Sequence, residues 1–96
     1  MNDRLNDSTI EGELEKLPGW RRDGDALVRV VEEKDFAEAM IVVNAIAHIA
    51  TAVNHHPEIT VDRTKVTIRT TSHNAGAITA RDVDLATRIQ AILTPR

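Results

Sequence analysis

A long apolar pattern that ends at a proline constrains the fold of this chain more than any other feature. Its apolar residues recur at the spacing of an α-helix and form a face broader than a surface helix needs. One row is Phe36, Met40, Val43, Ala47, Ala50 and Asn54, and beside it lie Ala39, Val42, Ile46, Ile49 and Val53. The helix must end before Pro57, because the residue preceding a proline disfavours the helical conformation. We therefore predict a helix that covers a sheet on one side and a second subunit on the other.

A strand pair is predicted on each side of this helix. Trp20 to Asp23 and Ala26 to Val31 flank an Asp-Gly-Asp turn, which favours a hairpin. Glu58 to Asp62 and Lys65 to Thr71 alternate apolar and polar side chains around a second hairpin tip. Two hairpins separated by a long helix predict one antiparallel sheet of four strands with helices on one face.

Shorter helices are predicted near both ends of the chain. Ser8 or Thr9 caps the first, which ends near Lys16 because Pro18-Gly19 follows. The last helix begins at Thr79 and presents an apolar row to the core. The predicted fold class is therefore α+β: a four-stranded antiparallel sheet with three helices packed on one face, in the order α-β-β-α-β-β-α.

The length of 96 residues suits a single domain. Residues 1–7 are polar, and we predict a frayed N-terminus there, followed by one domain over residues 8–96 in which Pro95 closes the chain. A chain this short buries only about two-thirds of its unfolded surface. Association with copies of itself would therefore add to its stability.

Composition narrows the possible partners and the compartment. The chain has no cysteine, which excludes disulfides and thiolate metal sites and fits a cytoplasmic protein. The net charge is −3, the basic residues are scattered, and Trp20 and Phe36 are the only aromatic residues. A nucleic-acid surface needs a basic stripe, usually with stacking aromatics.

No apolar run reaches the roughly 20 residues of a membrane span. We expect neither direct nucleic-acid binding nor membrane association.

Three histidines and one aspartate are predicted to converge at one end of the sheet. His55 and His56 follow the long helix, His73 lies in the loop after the fourth strand, and Asp82 lies in the first turn of the last helix. The hairpin between the histidine pair and His73 leaves and returns to the same end. Imidazoles exchange protons near neutral pH, and one well-placed group contributes about 10² to 10⁴ in rate. The set predicts acid–base catalysis.

Other interpretations of these residues stay open at this point. The histidine pair could cap a helix C-terminus, where a cation is favoured, or bind a metal, although adjacent histidines seldom reach one ion together. Asp82 could close a capping box with Thr79. His48, inside the long helix, is interpreted as a surface or interface residue.

Several motifs together make the chain resemble the pterin-4a-carbinolamine dehydratase (4a-hydroxytetrahydrobiopterin dehydratase) family. The histidine-histidine-proline triplet alone is weak evidence, whereas its combination with the other motifs is specific. They are Leu17-Pro18-Gly19-Trp20, Asp35-Phe36, His55-His56-Pro57, His73, Ala75-Gly76, Arg81-Asp82 and Leu85-Ala86. The resemblance covers nearly the whole chain.

The resemblance implies a hydro-lyase that removes water from 4a-hydroxytetrahydropterin to give quinonoid dihydropterin, in tetrahydropterin recycling. It implies a catalytic site of His55, His56, His73 and Asp82, in which His55 and His73 transfer protons and His56 holds the pterin. It implies no metal and no bound cofactor. It also implies homodimers that extend the sheet across subunits, and homotetramers that form through the long helix.

Two positions depart from the family pattern. Thr51 stands where the family usually has an ionisable residue, and Arg63 stands where it usually has an aromatic one. Thr51 removes a carboxylate that could orient a histidine. These departures favour an alternative function, in which a non-catalytic protein on this scaffold acts as an assembly factor or a transcriptional coactivator.

Overall fold

The computed structural model describes residues 3–93, and its elements follow the predicted order. Three helices and four strands build the domain, which confirms the predicted fold class. The elements are α1 (Asp7–Leu14), β1 (Trp20–Asp23), β2 (Ala26–Glu32), α2 (Phe36–Val53), β3 (Glu58–Asp62), β4 (Lys65–Thr70) and α3 (Ala80–Leu93).

The sheet is antiparallel, with strand order β1-β2-β4-β3. Alternation along β4 places Val66, Ile68 and Thr70 on the face that the helices cover, where all three are buried. Ile10 of α1, Ile46 of α2, and Leu85, Ala86 and Ile89 of α3 join the two β4 apolar residues in one core cluster. The helices therefore share one core on one face of the sheet.

The first helix differs from its prediction at both ends. The capping residue is Asn6, not Ser8 or Thr9: Asn6 is extended, and its side chain accepts a hydrogen bond from the Thr9 backbone N–H at 2.8 Å. The helix ends at Leu14, before Lys16. Several neighbouring residues could cap this helix, so local propensity did not choose among them.

The other boundaries differ by single residues. β2 runs on to Glu32, β4 ends at Thr70, and α3 begins at Ala80 with Thr79 directly before it. The division into residues 1–7 and 8–96 stays a prediction, and residues 1–2 and 94–96, including Pro95, lie outside the described residues.

The two ends of α2 are fixed by local hydrogen bonds. Asp35 caps the start, because its side chain accepts a hydrogen bond from the Glu38 N–H at 2.8 Å. At the other end Asn54 adopts the left-handed conformation, with φ 55° and ψ 45°. The N–H of Asn54 bonds the carbonyls of Ala50 and Thr51, and the N–H of His55 bonds Ala50 at 3.1 Å. The helix end thereby fixes where the histidine pair begins.

One side of α2 packs on the core and the other is exposed. Ala39, Val42, Ile46 and Ala50 are buried, whereas Phe36 and Ile41 are 59% and 60% exposed. Among the described helices, α2 is the one long and apolar enough to cross a membrane, with a mean hydropathy of 1.7. A single helix of this kind is weak evidence for a span, since core helices of soluble proteins share these properties.

Candidate functional site

A cavity of about 250 Å³ opens at the end of the sheet where α2 ends and the loop after β4 begins. The structure brings the three predicted histidines together here: His55 and His56 reach the cavity from the end of α2, and His73 reaches it from the loop after β4. The lining residues are Asn54, His55, His56, Thr71, Ser72, His73, Asn74 and Arg81.

The two adjacent histidines have different surroundings. His55 is 8% exposed, whereas His56 and His73 are exposed to solvent. Pro57 follows His56 and holds it away from the helical conformation, which helps the two neighbouring side chains leave the backbone differently. The cavity therefore offers one anchored imidazole and two accessible ones.

Asp82 lies behind His55 and is completely buried. Its Oδ1 lies 2.7 Å from His55 Nε2 and accepts a hydrogen bond of 2.7 Å from the hydroxyl of Thr70. Its Oδ2 accepts from the Ser72 hydroxyl at 2.8 Å and from the Thr79 backbone N–H at 2.9 Å. A carboxylate has about four acceptor positions, and here each receives a donor. An acidic group can lie in the interior when all of its acceptor positions receive hydrogen bonds in this way.

The bond from the Thr79 N–H confirms that Asp82 closes a capping box at the start of α3. The Thr79 hydroxyl in turn accepts from the Arg81 N–H at 3.2 Å and lies 2.7 Å from the Ser72 hydroxyl. Capping and contact with His55 are therefore both properties of Asp82, because its two oxygens point in different directions.

The tautomer of His55 follows from this partner. We assign the hydrogen of the neutral ring to Nε2 and the lone pair to Nδ1, because an ionised carboxylate only accepts hydrogen bonds. Within residues 3–93 every buried side-chain nitrogen or oxygen has a hydrogen-bond partner. The Nδ1 atom of His55 makes no hydrogen bond, so it is not one of these buried atoms. Nδ1 is therefore accessible in the cavity that His55 lines.

Arg81 supplies the positive charge at the cavity wall. Its guanidinium donates to the backbone carbonyl of Asn54, which ties the start of α3 to the end of α2. A smaller cavity of about 60 Å³ shares His56, Thr71 and His73 with the first, and Glu58 and Arg69 complete its lining. The accessible histidines thus stand between two depressions of the surface.

The remaining residues singled out in the sequence lie elsewhere. His48 is exposed on α2 and does not line the histidine cavity. Thr51 is exposed one turn before His55, and Arg63 is exposed at the tip of the β3–β4 hairpin, where its side chain bonds Asp62. Neither departure from the family pattern lies on the wall of the cavity.

No cluster of three or more histidine, aspartate or glutamate side chains within residues 3–93 could hold a metal ion. His55 already directs one ring nitrogen to Asp82, which leaves one nitrogen for any other partner. The donor set therefore suits proton transfer better than metal coordination.

Sequence reasoning missed the hydroxyl groups that surround Asp82. Thr70 alternates in phase with Val66 and Ile68, and a hydroxyl in this otherwise apolar row was the available signal, since a buried hydroxyl needs a partner. Ser72 lies in the loop after β4, and its position beside Asp82 depends on tertiary structure. The cavity residues Asn54, Thr71 and Asn74 had no signal of their own.

Known proteins of one family match the chain over most of its length. The family model described as pterin 4 alpha carbinolamine dehydratase matches residues 3–92. A protein of Thermomicrobium roseum, provisionally named pterin-4-alpha-carbinolamine dehydratase, is 48% identical over 90% of this chain and 92% of its own length. A protein of Koribacter versatilis with the same provisional name is 41% identical over 96% of this chain and 98% of its own.

Two solved structures share the fold. A transcriptional coactivator/pterin dehydratase from Brucella melitensis is 28% identical, with a TM-score of 0.88 over 93% of this chain and 97% of its own. A pterin dehydratase-like protein described as a RuBisCO assembly factor of the alpha-carboxysome is 20% identical, with a TM-score of 0.68 over 81% of this chain and 93% of its own, and it shows the fold alone. From the family match and the identities with the bacterial relatives, this chain belongs to the pterin-4a-carbinolamine dehydratase family.

Proposed function

We propose that this protein dehydrates a 4a-hydroxytetrahydropterin to the quinonoid dihydropterin by histidine acid–base catalysis. The observation that carries the proposal is the gathering of His55, His56 and His73 around one cavity, with His55 anchored to a buried carboxylate. Family membership supplies the substrate class, since the relatives are named for this reaction.

The proposed reaction needs two proton transfers and no change of oxidation state. A base takes the proton from N5 of the pterin, and an acid protonates the hydroxyl on C4a, which leaves as water. The C–O bond breaks as the C4a–N5 double bond forms. The protein gains one proton and loses one, so a set of imidazoles meets the requirement without a cofactor.

The contacts of His55 suit the role of base. Its Nδ1 carries the lone pair and is accessible in the cavity, while Asp82 stabilises the imidazolium that forms when Nδ1 accepts a proton. His73, which is exposed and lines the same cavity from the loop after β4, supplies the proton to the leaving hydroxyl. His56 holds the pterin between them through its accessible ring. Asp82 acts only through His55, because it is completely buried.

We place this activity in tetrahydropterin recycling, in the cytoplasm. Aromatic amino-acid hydroxylation produces the carbinolamine that such an enzyme would consume. The absence of cysteine from the sequence is compatible with a reducing compartment.

The direct test is the rate of dehydration of freshly generated 4a-hydroxytetrahydropterin, followed by the absorbance of the quinonoid product. We expect the wild-type protein to exceed the spontaneous rate in proportion to its concentration. Treatment with EDTA should leave the rate unchanged, because imidazoles perform both transfers. A folded protein that gives no more than the spontaneous rate would contradict the proposal.

A second candidate function is binding to protein partners through the exposed side of α2. Phe36 and Ile41, which lie about 140° apart around the helix, are large apolar side chains that are more than half exposed and could each contact a partner. The Brucella melitensis relative carries both coactivator and dehydratase in its name. We propose that the exposed side of α2 serves self-association by pairing homodimers into a homotetramer, and that a protein partner would use the same surface.

Substitution of Ile41 by aspartate is expected to reduce the size of the oligomer, because a charged side chain at this position opposes burial against a second subunit. Sedimentation velocity should show the wild type above the 10.6 kDa of one chain and Ile41→Asp shifted towards it. Thr87→Asp adds the same charge to an exposed position of α3 and serves as the control. A wild type that sediments as a monomer would exclude this surface as a self-association site.

A further inference from the structure

Thr70 is the polar member of the helix-facing row of β4. It is completely buried, and its neighbours in that row are Val66 and Ile68. An unpaired hydroxyl in such surroundings would be unfavourable, and the Thr70 hydroxyl finds its partner in Asp82 Oδ1 at 2.7 Å. Because no part of Thr70 is exposed, it cannot touch a substrate in the cavity. Any effect of its hydroxyl on the site passes through Asp82.

Asp82 Oδ1 is shared by two donors at equal distance. The Thr70 hydroxyl and His55 Nε2 both lie 2.7 Å from it, and they occupy the two acceptor positions of that oxygen. The positions of Oδ2 are taken by Ser72 and Thr79. With all four positions filled, the carboxylate plane is fixed by donors from β4, from the loop after it and from the start of α3.

Removal of the Thr70 hydroxyl would open one of these positions. The carboxylate could then rotate towards its remaining donors, and the imidazole of His55 would lose the acceptor that fixes its hydrogen on Nε2. A His55 with its hydrogen on Nδ1 has no lone pair at the accessible atom and cannot act as the base there.

We propose that Thr70 is a positioning residue, whose hydroxyl orients Asp82 so that His55 keeps its hydrogen on Nε2 and its lone pair on Nδ1. The expected effect on turnover rests on the proposed function. The tautomer of His55 does not, because it is a property of the protein without substrate.

The test uses Thr70→Val, which keeps the shape of the side chain and removes the hydroxyl, and Thr70→Ser, which keeps the hydroxyl. Two-bond proton–nitrogen correlation spectra of nitrogen-15-labelled protein report the tautomer of His55 without substrate. We expect the wild type and Thr70→Ser to show hydrogen on Nε2. We expect Thr70→Val to shift its Nδ1 signal towards the protonated form and to lower kcat about tenfold with little change in KM.

Thr67→Val is the matched control, because it makes the same change on the same strand but on the opposite face of the sheet. An unchanged His55 spectrum in Thr70→Val would overturn the inference, and so would an unchanged kcat in an active enzyme. If the wild type proves not to be a dehydratase, the proposed function fails and the spectrum alone decides the role of Thr70. Loss of kcat in Thr70→Val with the His55 signals in their wild-type positions would also overturn it, since the cause would then be structural.

Discussion

Replacement of Asp82 by alanine is expected to lower the free energy of unfolding by about 3–5 kcal/mol. The change removes one acceptor group and leaves four donors without it: the ring of His55, the hydroxyls of Thr70 and Ser72, and the N–H of Thr79. The capping box at the start of α3 loses the half that Asp82 supplies, while the Thr79 hydroxyl still accepts from the Arg81 N–H. A domain of this size is stable by only about 5–15 kcal/mol, so the variant would lose a large part of its stability.

Urea denaturation followed by circular dichroism would measure this loss from the shift in midpoint at constant slope. Asp84→Ala is the matched control, since Asp84 lies on the same helix and makes an exposed ion pair with Arg88. We expect the control to change stability by no more than about 0.5 kcal/mol. An Asp82→Ala midpoint that matched that of the control would show that the buried hydrogen bonds do not stabilise the fold.

The second large effect is expected in turnover. His55→Ala and His73→Ala should each lower kcat by about 10² to 10⁴, because each removes one of the two proton-transfer groups that we propose. His56→Ala should mainly raise KM, because His56 is proposed to hold the pterin without transferring a proton. Steady-state kinetics, with the spontaneous rate of dehydration subtracted, would separate the effect on kcat from the effect on KM.

His48→Ala provides the control for these histidine variants. His48 is exposed on α2, and it does not line the histidine cavity. The control should retain wild-type kcat and KM, and circular dichroism should show that all four variants fold. A kcat loss of equal size in His56→Ala and His55→Ala would contradict the division of roles, and wild-type kinetics in all of them would place the chemistry elsewhere.

The fold was predictable from short-range patterns because each of its long elements carries its own signal. The period of the apolar residues identified α2, Asp35 fixed its start, and Pro57 limited its end. The start of α1 was not predictable in the same way. Asn6 and Ser8 both have side chains that cap helices, and the choice between them depends on where the backbone becomes extended.

The arrangement of the site was predictable in part. The proximity of His55 and His73 could be predicted from topology, because the β3–β4 hairpin returns the chain to the end of the sheet from which it left. The donors around Asp82 could not be predicted from topology. The contact between Thr70 and Asp82 depends on the register of the sheet and on how α3 packs over β4. Short-range patterns place residues on elements, whereas contacts between elements also require the distances that packing sets.

The two oxygens of Asp82 have a consequence for genetic variation in this protein. One carboxylate both completes the capping box of α3 and, in the proposed mechanism, orients His55. A natural substitution at position 82 would therefore reduce the number of folded molecules in the cell as well as the turnover that we propose for each of them. Selection acting on protein abundance and selection acting on chemistry would therefore reject the same variants. A loss of function traced to this position would reveal its cause only after the steady-state amount of protein had been measured.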